Sequence, residues 1–314
     1  MKEFLERATK GDMLSHRDLH IILDALPVPV SWASIPQGDI IFCNRAFRKT
    51  FGYADGSFAT VEDWIADVYP NKEHQDWARR IWLDPPPSDA DGITEISAIE
   101  LDIRCADQSL RTVLHRGIKL NEIAIGIAVF EDISDRRKIE DTLRRIAYED
   151  PLTGLSNRRA LQELWQQVAR DMHGTDTMTA VLLVDLDGFK RINDTLGHDA
   201  GDDTLIAVAE RLRDSVRGGD LVCRIGGDEF AILVPGLHDS KLVEQMCWRI
   251  GVAMSLPIMI HGKPIIVRAS IGASLHPQDG NELQGLLKRA DEALYRRKAE
   301  RHGGWEWFRE PNAA

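Results

Sequence analysis

The spacing of apolar residues changes several times in the first 135 positions, and each change predicts a different element. Four apolar residues between positions 19 and 26 recur at helical intervals and stop before Pro27, which predicts a helix that ends there. Two short apolar runs predict strands at 28–33 and 40–42, and a helical patch begins at 44. Three alternating segments then have the length and period of antiparallel strands, at residues 94–104, 110–120 and 122–131.

From residue 158 onward the pattern alternates between helical and strand-like spacing. An uninterrupted apolar run at residues 180–184 is typical of a strand that is covered on both faces. Around it the pattern predicts helices at 161–168, 205–212, 240–254 and 283–300, and strands at 221–225, 230–234 and 265–275. The expected fold class is therefore α/β (α+β), with an antiparallel sheet and helices first and a single sheet flanked by helices second.

A chain of 314 residues is longer than one hydrophobic core usually supports, so we expect two domains. The predicted divisions are a lead-in at 1–17, a first domain at 18–134, a helical linker at 135–149 and a second domain at 150–308. Within the linker, Ile139, Leu143 and Ile146 have the 4-3 spacing of a coiled-coil seam. This spacing predicts a dimer seam, and a helix packed on its own first domain is the alternative.

Composition narrows the classes of partner and compartment. The formal net charge is -11, and an acidic surface repels phosphate backbones, so we expect no nucleic-acid partner. The four cysteines, at positions 43, 105, 223 and 247, include no Cys-x-x-Cys pair, which argues against a zinc site. Their number is too low for a disulfide scaffold. Charges interrupt the first seven positions and no long apolar run follows, so we expect no signal peptide, no membrane association and a cytoplasmic protein.

Gly226 and Gly227 separate two alternating apolar runs, which predicts a hairpin because glycine tolerates positive φ. Asp228 and Glu229 then lie at the hairpin tip, and Asp185 ends the apolar strand upstream. If these strands are neighbours, the carboxylates meet, and their mutual repulsion favours a bound cation such as magnesium. Magnesium coordinates triphosphate oxygens, and the two glycines let a nucleotide approach the backbone closely. In isolation, Asp228 and Glu229 would be ordinary turn residues.

Three motifs in the second half together resemble the GGDEF family of diguanylate cyclases. They are DPLTGLSNRR at 150–159, DLDGFKRINDTLGH at 185–198 with its continuation to 202, and RIGGDEF at 224–230. The resemblance covers residues 147–304, and these motifs are highly specific at these spacings. It implies an enzyme that condenses two GTP into cyclic di-GMP and two pyrophosphates across a homodimer, with magnesium or manganese as the cofactor.

The resemblance also assigns roles to individual residues. Asp185, the Leu186 carbonyl and Asp228 would bind the metal. Asp228 or Glu229 would help to activate the 3′-hydroxyl that attacks the α-phosphate of a second GTP. The residues expected at the nucleotide are Asn193 and Asp202 for guanine, the Phe189 and Lys190 amides for phosphate, and His198, Gly226 and Gly227. For His198, a hydrogen bond that links two helices is the alternative role.

Lys298, in the segment ADEALYRRK at 290–298, matches the family's phosphate-binding lysine. The family usually continues with a Gly-Arg pair, whereas this chain has Arg301 and His302 before Gly303. The second phosphate contact would then come from Arg301, shifted by one place.

Arg217 and Asp220 precede the hairpin signature and match the family's Arg-x-x-Asp product-inhibition site. Arginine can grip a phosphate or a guanine face, and aspartate can accept from guanine, so the resemblance implies inhibition by cyclic di-GMP. A plain surface ion pair is the alternative for these two residues. A catalytically silent receptor that binds cyclic di-GMP through them is the alternative function, and cyclase chemistry on another nucleotide is a third.

The first domain resembles a PAS domain, a family whose usual role is sensing or dimerisation and whose ligands differ widely. The segments that carry the resemblance are LPVPV at 26–30, IFCNRAF at 41–47 and FEDIS at 130–134. No residue in the sequence compels haem or flavin, so the ligand of this domain is unknown. Four tryptophans could line a pocket, but we expect them to serve as core and surface packing: Trp32, Trp64, Trp77 and Trp82.

Overall fold

The computed structural model describes residues 15–82, 92–171, 177–299 and 303–309. The chain divides into an N-terminal unit of residues 1–141 and a C-terminal unit of residues 142–314. The predicted lead-in at 1–17 lies almost entirely outside the described residues. In the part of the chain that is described, no helix is long and apolar enough to cross a membrane.

A five-stranded antiparallel sheet forms the centre of the N-terminal unit. Its strands are β1 (Val30–Ser34), β2 (Ile40–Cys43), β3 (Ile93–Arg104), β4 (Leu110–Leu120) and β5 (Ile125–Asp132). They lie in the order β2-β1-β5-β4-β3. The helices are α1 (His16–Ala25), α2 (Arg45–Phe51), α3 (Val61–Val68) and α4 (Lys72–Trp82), followed by α5 (Ser134–Tyr148). The antiparallel sheet with helices confirms the fold predicted for the first half.

Short polar residues determine where these helices begin. Ser15 and Thr60 each form a capping box with the aspartate three positions later, at the starts of α1 and α3. Asn44 caps α2, and its Oδ1 accepts from the amides of Phe47 at 2.9 Å and Val30 at 3.0 Å. Because Asn44 is fully buried, these bonds also fix the start of α2 against β1.

Aromatic rings fill the core of the N-terminal unit. Phe51 meets Phe47 and Trp64 edge to face, at centroid distances of 4.9 and 5.8 Å. Trp64 also lines a partly open pocket of about 410 Å³ together with Trp32 and Trp82. Trp64, Trp77 and Trp82 pack in or against this core, as expected. Three of the four tryptophans also line the pocket. A cavity depends on where several elements meet, which the spacing of residues along the chain does not encode.

Helix α5 spans the predicted linker. Its apolar residues Ile139, Leu143 and Ile146 are 60%, 60% and 72% exposed. These three side chains are therefore largely exposed to solvent among the described residues. The dimer seam stays a prediction.

The C-terminal unit alternates helices and strands along most of its length. Its strands are β6 (Ser156–Asn157), β7 (Met178–Asp187), β8 (Leu221–Gly226), β9 (Glu229–Leu237), β10 (Ile258–Ile260), β11 (Lys263–Ile265), β12 (Arg268–His276) and β13 (Gly304–Trp307). Its helices are α6 (Arg158–Asp171), α7 (Phe189–Leu196), α8 (His198–Asp214), α9 (Lys241–Ser255) and α10 (Leu283–Ala299). Six strands form one sheet in the order β13-β12-β7-β9-β8-β6, which confirms the predicted sheet flanked by helices.

Strand β7 is apolar on both sides because helices cover both faces of this sheet. Leu182 and Val184 pack in the core formed with α8 and α9, whereas Val181 and Leu183 pack in the core formed with α6 and α10. Successive side chains on a strand point to opposite faces, so Asp185 continues the row that faces α10. The alternation thus sets the direction of the first site residue.

Gly272 in β12 allows helix α10 to lie directly on the sheet. A Cβ at this position would be 2.0 Å from the Ala290 carbonyl oxygen and 2.4 Å from the Leu294 amide nitrogen. No side chain fits there without moving the helix. The contact fixes the height of α10, and therefore of its last turn, above the sheet.

The strand predicted at residues 265–275 is two elements in the structure. β11 ends at Ile265 and pairs with β10 across a tight turn, in which His261 and Gly262 have φ of 48° and 77°. Ile266 is 60% exposed and Val267 is 1% exposed, so the chain passes from one sheet to the other at these two residues. An uninterrupted apolar run conceals such a break.

Candidate active site

The turn between β8 and β9 is held by an arginine from within the hairpin. Gly227 has a φ of 55°, a left-handed conformation that favours glycine. The Arg224 Nε and Nη2 atoms donate to the Gly227 carbonyl oxygen at 3.0 and 2.8 Å. These bonds fix the backbone next to Asp228.

Arg224 is itself anchored by Asp150, which lies in the loop between α5 and α6. The Nη1 atom of Arg224 is 3.0 Å from Asp150 Oδ1, and the two side chains are 13% and 17% exposed. Burial alone would raise the pKa of Asp150, but hydrogen bonds from Thr153 and the Arg224 charge lower it below its ordinary value. Sequence reasoning gave neither Arg224 nor Asp150 a role. Their fixed places within two separate motifs were the available signal.

Asp185 and Glu229 are paired across β7 and β9, so their Cα atoms are register partners. The Nζ atom of Lys298, in the last turn of α10, is 2.6 Å from Asp185 Oδ2. Asp185 is almost buried, with 10% of its side chain exposed. The structure therefore brings together Asp185, Glu229 and Lys298, which the sequence places more than forty positions apart.

The pKa values of both Asp185 and Glu229 are raised at this position. Burial raises the pKa of Asp185, the charges of Asp228 and Asp187 add to the rise, and the Lys298 ammonium opposes it. Burial also raises the pKa of Glu229, and the charges of Asp185, Asp228 and Asp291 act in the same direction. A cluster with this excess of negative charge gains from additional positive charge.

The predicted metal ligands fit a magnesium ion by their chemistry. The Asp185 and Asp228 carboxylates and the Leu186 carbonyl supply only oxygen donors, which hard cations prefer. Two carboxylates and one carbonyl leave places for phosphate oxygens and water, as is usual for magnesium in phosphoryl-transfer sites. Within the described residues, no group of three or more His, Cys, Asp or Glu is arranged to hold a metal by itself.

Helix α7 starts directly after β7 with an open first turn. Its N-cap, Gly188, has a φ of 75°, and no side chain caps the helix. The Phe189 ring is buried, whereas the Lys190 side chain is exposed. The first amides of α7 are consequently available to an anion, as predicted for the phosphates of a nucleotide.

Asn193 packs against helix α8 at a position where no side chain stands. A Cβ on Gly201 would be 1.8 Å from the Asn193 Oδ1 atom. Gly201 therefore makes room for the amide, and the next residue, Asp202, is exposed. His198 is the exposed first residue of α8. The two predicted guanine contacts thus lie close to each other at the junction of α7 and α8.

In this structure the two residues of the predicted product site form an ion pair with each other. Arg217 Nε is 2.9 Å from Asp220 Oδ1, and Arg217 Nη2 donates to the Pro235 carbonyl at 2.7 Å. Asp220 is 3% exposed and Arg217 is 51% exposed. The predicted contact of Arg301 lies outside the described residues, while Arg297 Nε donates to the Gly303 carbonyl at 2.8 Å.

Comparison with known families agrees with the geometry. Residues 147–303 match the family model for the diguanylate cyclase GGDEF domain. The chain belongs to the GGDEF family. Residues 17–83 match a PAS domain model, so a PAS domain precedes the GGDEF domain.

Relatives of this GGDEF protein include proteins of different activity. The cyclic di-GMP phosphodiesterase NbdA of Pseudomonas aeruginosa is 42% identical over 50% of this chain and 20% of its own length. The response regulator PleD of Caulobacter vibrioides is 36% identical over 63% of this chain and 45% of its own length. The diguanylate cyclase DgcM of Escherichia coli is 37% identical over 55% and 41%. The chain spans a fifth to less than half of the length of these relatives.

Solved structures resemble the GGDEF domain. The GGDEF domain of TpbB (YfiN) from Pseudomonas aeruginosa has a TM-score of 0.50 at 36% identity, and the match covers 52% of this chain and 95% of that chain. The coiled coil and GGDEF domain of DgcB from Caulobacter crescentus, solved in complex with c-di-GMP, has a TM-score of 0.51 at 25% identity. That match covers 56% of this chain and 93% of the DgcB chain.

Proposed function

We propose that this protein is a diguanylate cyclase that converts two GTP into cyclic di-GMP and two pyrophosphates. The observation that supports this most directly is the meeting of Asp185, Glu229 and Lys298 beside the tip of the β8–β9 hairpin. In each half-reaction a 3′-oxygen forms a bond to the α-phosphorus of the other GTP, and the bond from that phosphorus to pyrophosphate breaks. Two such steps close the ring and release two pyrophosphates.

The residues of the hairpin suit the proton transfer in this reaction. The 3′-hydroxyl must lose a proton as its oxygen attacks, and Glu229 or Asp228 would accept it. The raised pKa of Glu229 makes its carboxylate a stronger base than an ordinary glutamate. A magnesium ion held by Asp185, the Leu186 carbonyl and Asp228 would neutralise phosphate charge.

The remaining contacts would orient the nucleotide. Asn193 and Asp202 offer an amide and a carboxylate to guanine, whose edge presents both acceptors and donors. The open first turn of α7 would accept phosphate oxygens, and Lys298 would contribute a positive charge. Because each GTP attacks the other, two protomers would each supply one nucleotide, and the exposed seam of α5 would join them.

The decisive variant removes the carboxylate at the hairpin tip. Asp228→Ala should reduce cyclic di-GMP formation from GTP and magnesium by at least about a hundredfold, because both a metal ligand and a proton acceptor are affected. Glu210→Ala, an exposed change on α8, is the matched control and should keep full activity. Undiminished turnover in Asp228→Ala would refute the assignment.

Feedback by the product is proposed for Arg217 and Asp220. Cyclic di-GMP would have to open the present pair, in which Arg217 covers Asp220. Arg217→Ala should then retain GTP turnover and lose inhibition by added cyclic di-GMP. If the wild-type chain binds cyclic di-GMP through Arg217 but consumes no GTP, the silent receptor is the correct function.

A further inference from the structure

The ammonium group of Lys298 binds a carboxylate that a metal ion would also need. Its Nζ atom is 2.6 Å from Asp185 Oδ2, and Asp185 is the first of the predicted magnesium ligands. Only 10% of the Asp185 side chain is exposed, so water screens charges at this carboxylate weakly. Two cations held by one such carboxylate repel each other. The lysine and a divalent cation therefore oppose each other's binding at Asp185.

The packing of helix α10 holds Lys298 at this end of the sheet. Gly272 lets the helix lie directly on β12, which fixes its height. Asp291 and Lys298 are seven positions apart, about two helical turns, so they lie on the same face of α10. The charge of Asp291 acts on Glu229 at the hairpin, which shows that this face borders the candidate site. Lys298 is therefore part of the site by construction and is not a chance surface neighbour.

The Lys298 side chain can leave Asp185 without opening a void in the core. It is 40% exposed, and a lysine carries its charge on a flexible four-carbon stem. A second partner would be close when a nucleotide binds, because α7 begins only four residues after Asp185. Phosphate oxygens at the open first turn of α7 would lie at the same end of β7. The ammonium thus has an anion to move to.

The charges of the cluster explain why the lysine matters before a nucleotide arrives. Burial raises the pKa of Asp185 and of Glu229, and the Lys298 ammonium opposes the rise at both. While the ammonium stays, it reduces the excess of negative charge that would attract a cation. When it leaves for a phosphate, that excess is restored. Metal affinity at Asp185 should therefore depend on where Lys298 points.

We propose that Lys298 is an internal counter-ion that weakens binding of a free divalent cation at Asp185 and moves to the triphosphate when the nucleotide enters. No covalent bond changes in this exchange. The metal takes the place of the ammonium at Asp185, and the ammonium pairs with phosphate oxygens. Metal and nucleotide then bind cooperatively, and each raises the affinity for the other by the same factor. The inference rests on the metal and nucleotide site of the proposed function and adds the coupling between the two ligands.

The first test measures metal binding to the full chain without nucleotide. Manganese(II) is the probe, because the paramagnetic resonance signal of the free ion reports how much is bound. Lys298→Met keeps an unbranched side chain and removes the charge, so it should bind manganese about tenfold more tightly than wild type. Lys288→Met is the matched control, since it removes the same charge from an exposed position earlier on α10. Its manganese affinity should stay within about twofold of wild type.

The second test follows the lysine itself in the wild-type chain. Acetic anhydride modifies accessible amines, and peptide mass spectrometry gives the extent of acetylation at each lysine. Saturating magnesium chloride should increase acetylation at Lys298 about threefold, because the metal displaces the ammonium from Asp185. Adding a GTP analogue with a methylene group between the α- and β-phosphorus should suppress acetylation again, since the phosphates then bind the ammonium. Acetylation of Lys288 should respond to neither addition.

Other results would overturn the inference. Equal or weaker manganese binding by Lys298→Met, or no manganese binding by either chain, would show that the lysine does not restrain the metal. Unchanged acetylation of Lys298 in magnesium would show that the ammonium does not leave Asp185. These results overturn the exchange even if the chain forms cyclic di-GMP. Conversely, tighter manganese binding by Lys298→Met in a protein whose wild-type chain forms no cyclic di-GMP would refute the proposed function alone.

Discussion

Asp185 in the GGDEF domain and His115 in the PAS domain are both ionisable groups that folding has removed from water, and they differ in what surrounds them. Asp185 lies beside other carboxylates and holds the Lys298 ammonium at 2.6 Å. His115 lies among aromatic rings and has no hydrogen-bond partner among the described residues. Burial raises the pKa of Asp185 and lowers the pKa of His115 to about 3, so each shift disfavours the charged form.

The difference shows how the surroundings of a buried ionisable group determine which partner it favours. The carboxylates around Asp185 leave an excess of negative charge, which favours cation binding. This suits a metal ion and the triphosphate that the metal would bind. Around His115 burial among aromatic rings keeps the imidazole neutral. The surroundings of Asp185 are defined by electrostatics, whereas those of His115 are defined by the packing of aromatic rings.

The largest expected effect concerns the acid stability of the PAS domain. A histidine whose pKa falls from 6.5 to about 3 on folding binds its proton more readily in the unfolded chain. The resulting stability is complete above pH 6.5 and is lost as the pH falls toward 3, on the order of 5 kcal/mol in total. Hydrogen exchange of the β4 amides should reveal this loss, and His115→Phe should flatten it. An equally steep loss in the variant would place the acid sensitivity elsewhere.

The second expected effect is that of Gly272→Ala, which should move helix α10 and so separate Lys298 from Asp185. Gly272→Ala places a Cβ 2.0 Å from the Ala290 carbonyl, so the helix must move away from the sheet. We expect a loss of about 3 kcal/mol in urea unfolding, together with reduced GTP turnover. Gly251→Ala is the control, because that glycine lies within α9 with nothing within 4 Å of the new Cβ. It should stabilise the chain by up to about 1 kcal/mol.

A smaller effect tests the support of the hairpin. Arg224→Ala removes the bonds to the Gly227 carbonyl and leaves the partly buried Asp150 without its cation. We expect a loss of about 2 kcal/mol at pH 7. Since the pKa of Asp150 is lowered on folding, its contribution is present above about pH 4 and disappears below it.

The exposed pair of Arg159 and Glu163 provides the comparison for that experiment. Its charged atoms are 3.6 Å apart, and the Arg159 and Glu163 side chains are 64% and 46% exposed. Arg159→Ala should therefore cost less than about 0.5 kcal/mol. If the two arginine variants lose equal free energy of unfolding in urea, the ion pair of Asp150 with Arg224 contributes no more to stability than an exposed pair.

The smallest expected effect is an increase in thermal stability. Glu229→Gln removes a carboxylate whose pKa is raised by burial and by the charges around it, so it should raise thermal stability at pH 7 by less than about 1 kcal/mol. A raised carboxyl pKa makes folding less favourable above it, so the gain should shrink as the pH falls and Glu229 becomes protonated. Saturating magnesium chloride should also reduce the difference in thermal stability between the variant and wild type. A variant that is less stable than wild type at pH 7 would contradict the repulsion between Glu229 and the neighbouring aspartates.

Much of the electrostatic site can be predicted from sequence because its parts are local. The apolar run of β7 predicts a buried strand, and Asp185 stands at its end. The two glycines predict a hairpin, which places Asp228 at a turn. The bridge from Arg224 to Asp150 is different, since it joins positions 74 residues apart and follows only from the order of strands.

The sequence left the pocket as one of two roles for the tryptophans and could not decide for it, for a physical reason. Its walls come from residues on separate helices and strands, and the empty volume is what remains when those elements pack. Trp82 and His115 carry no sign of it in their own neighbourhoods. Likewise, the break between β11 and β12 is set by which sheet each strand joins. The turn between β10 and β11 did have a usable signal, in His261 and Gly262 between two apolar runs.

The most direct test of the account measures products rather than variants. The full chain is incubated with GTP and magnesium chloride, and cyclic di-GMP and pyrophosphate are quantified together. We predict two pyrophosphates for each cyclic di-GMP, with no GDP formed. Release of GDP and phosphate, or a linear dinucleotide with one pyrophosphate, would contradict the assignment of the hairpin as half of a cyclase site.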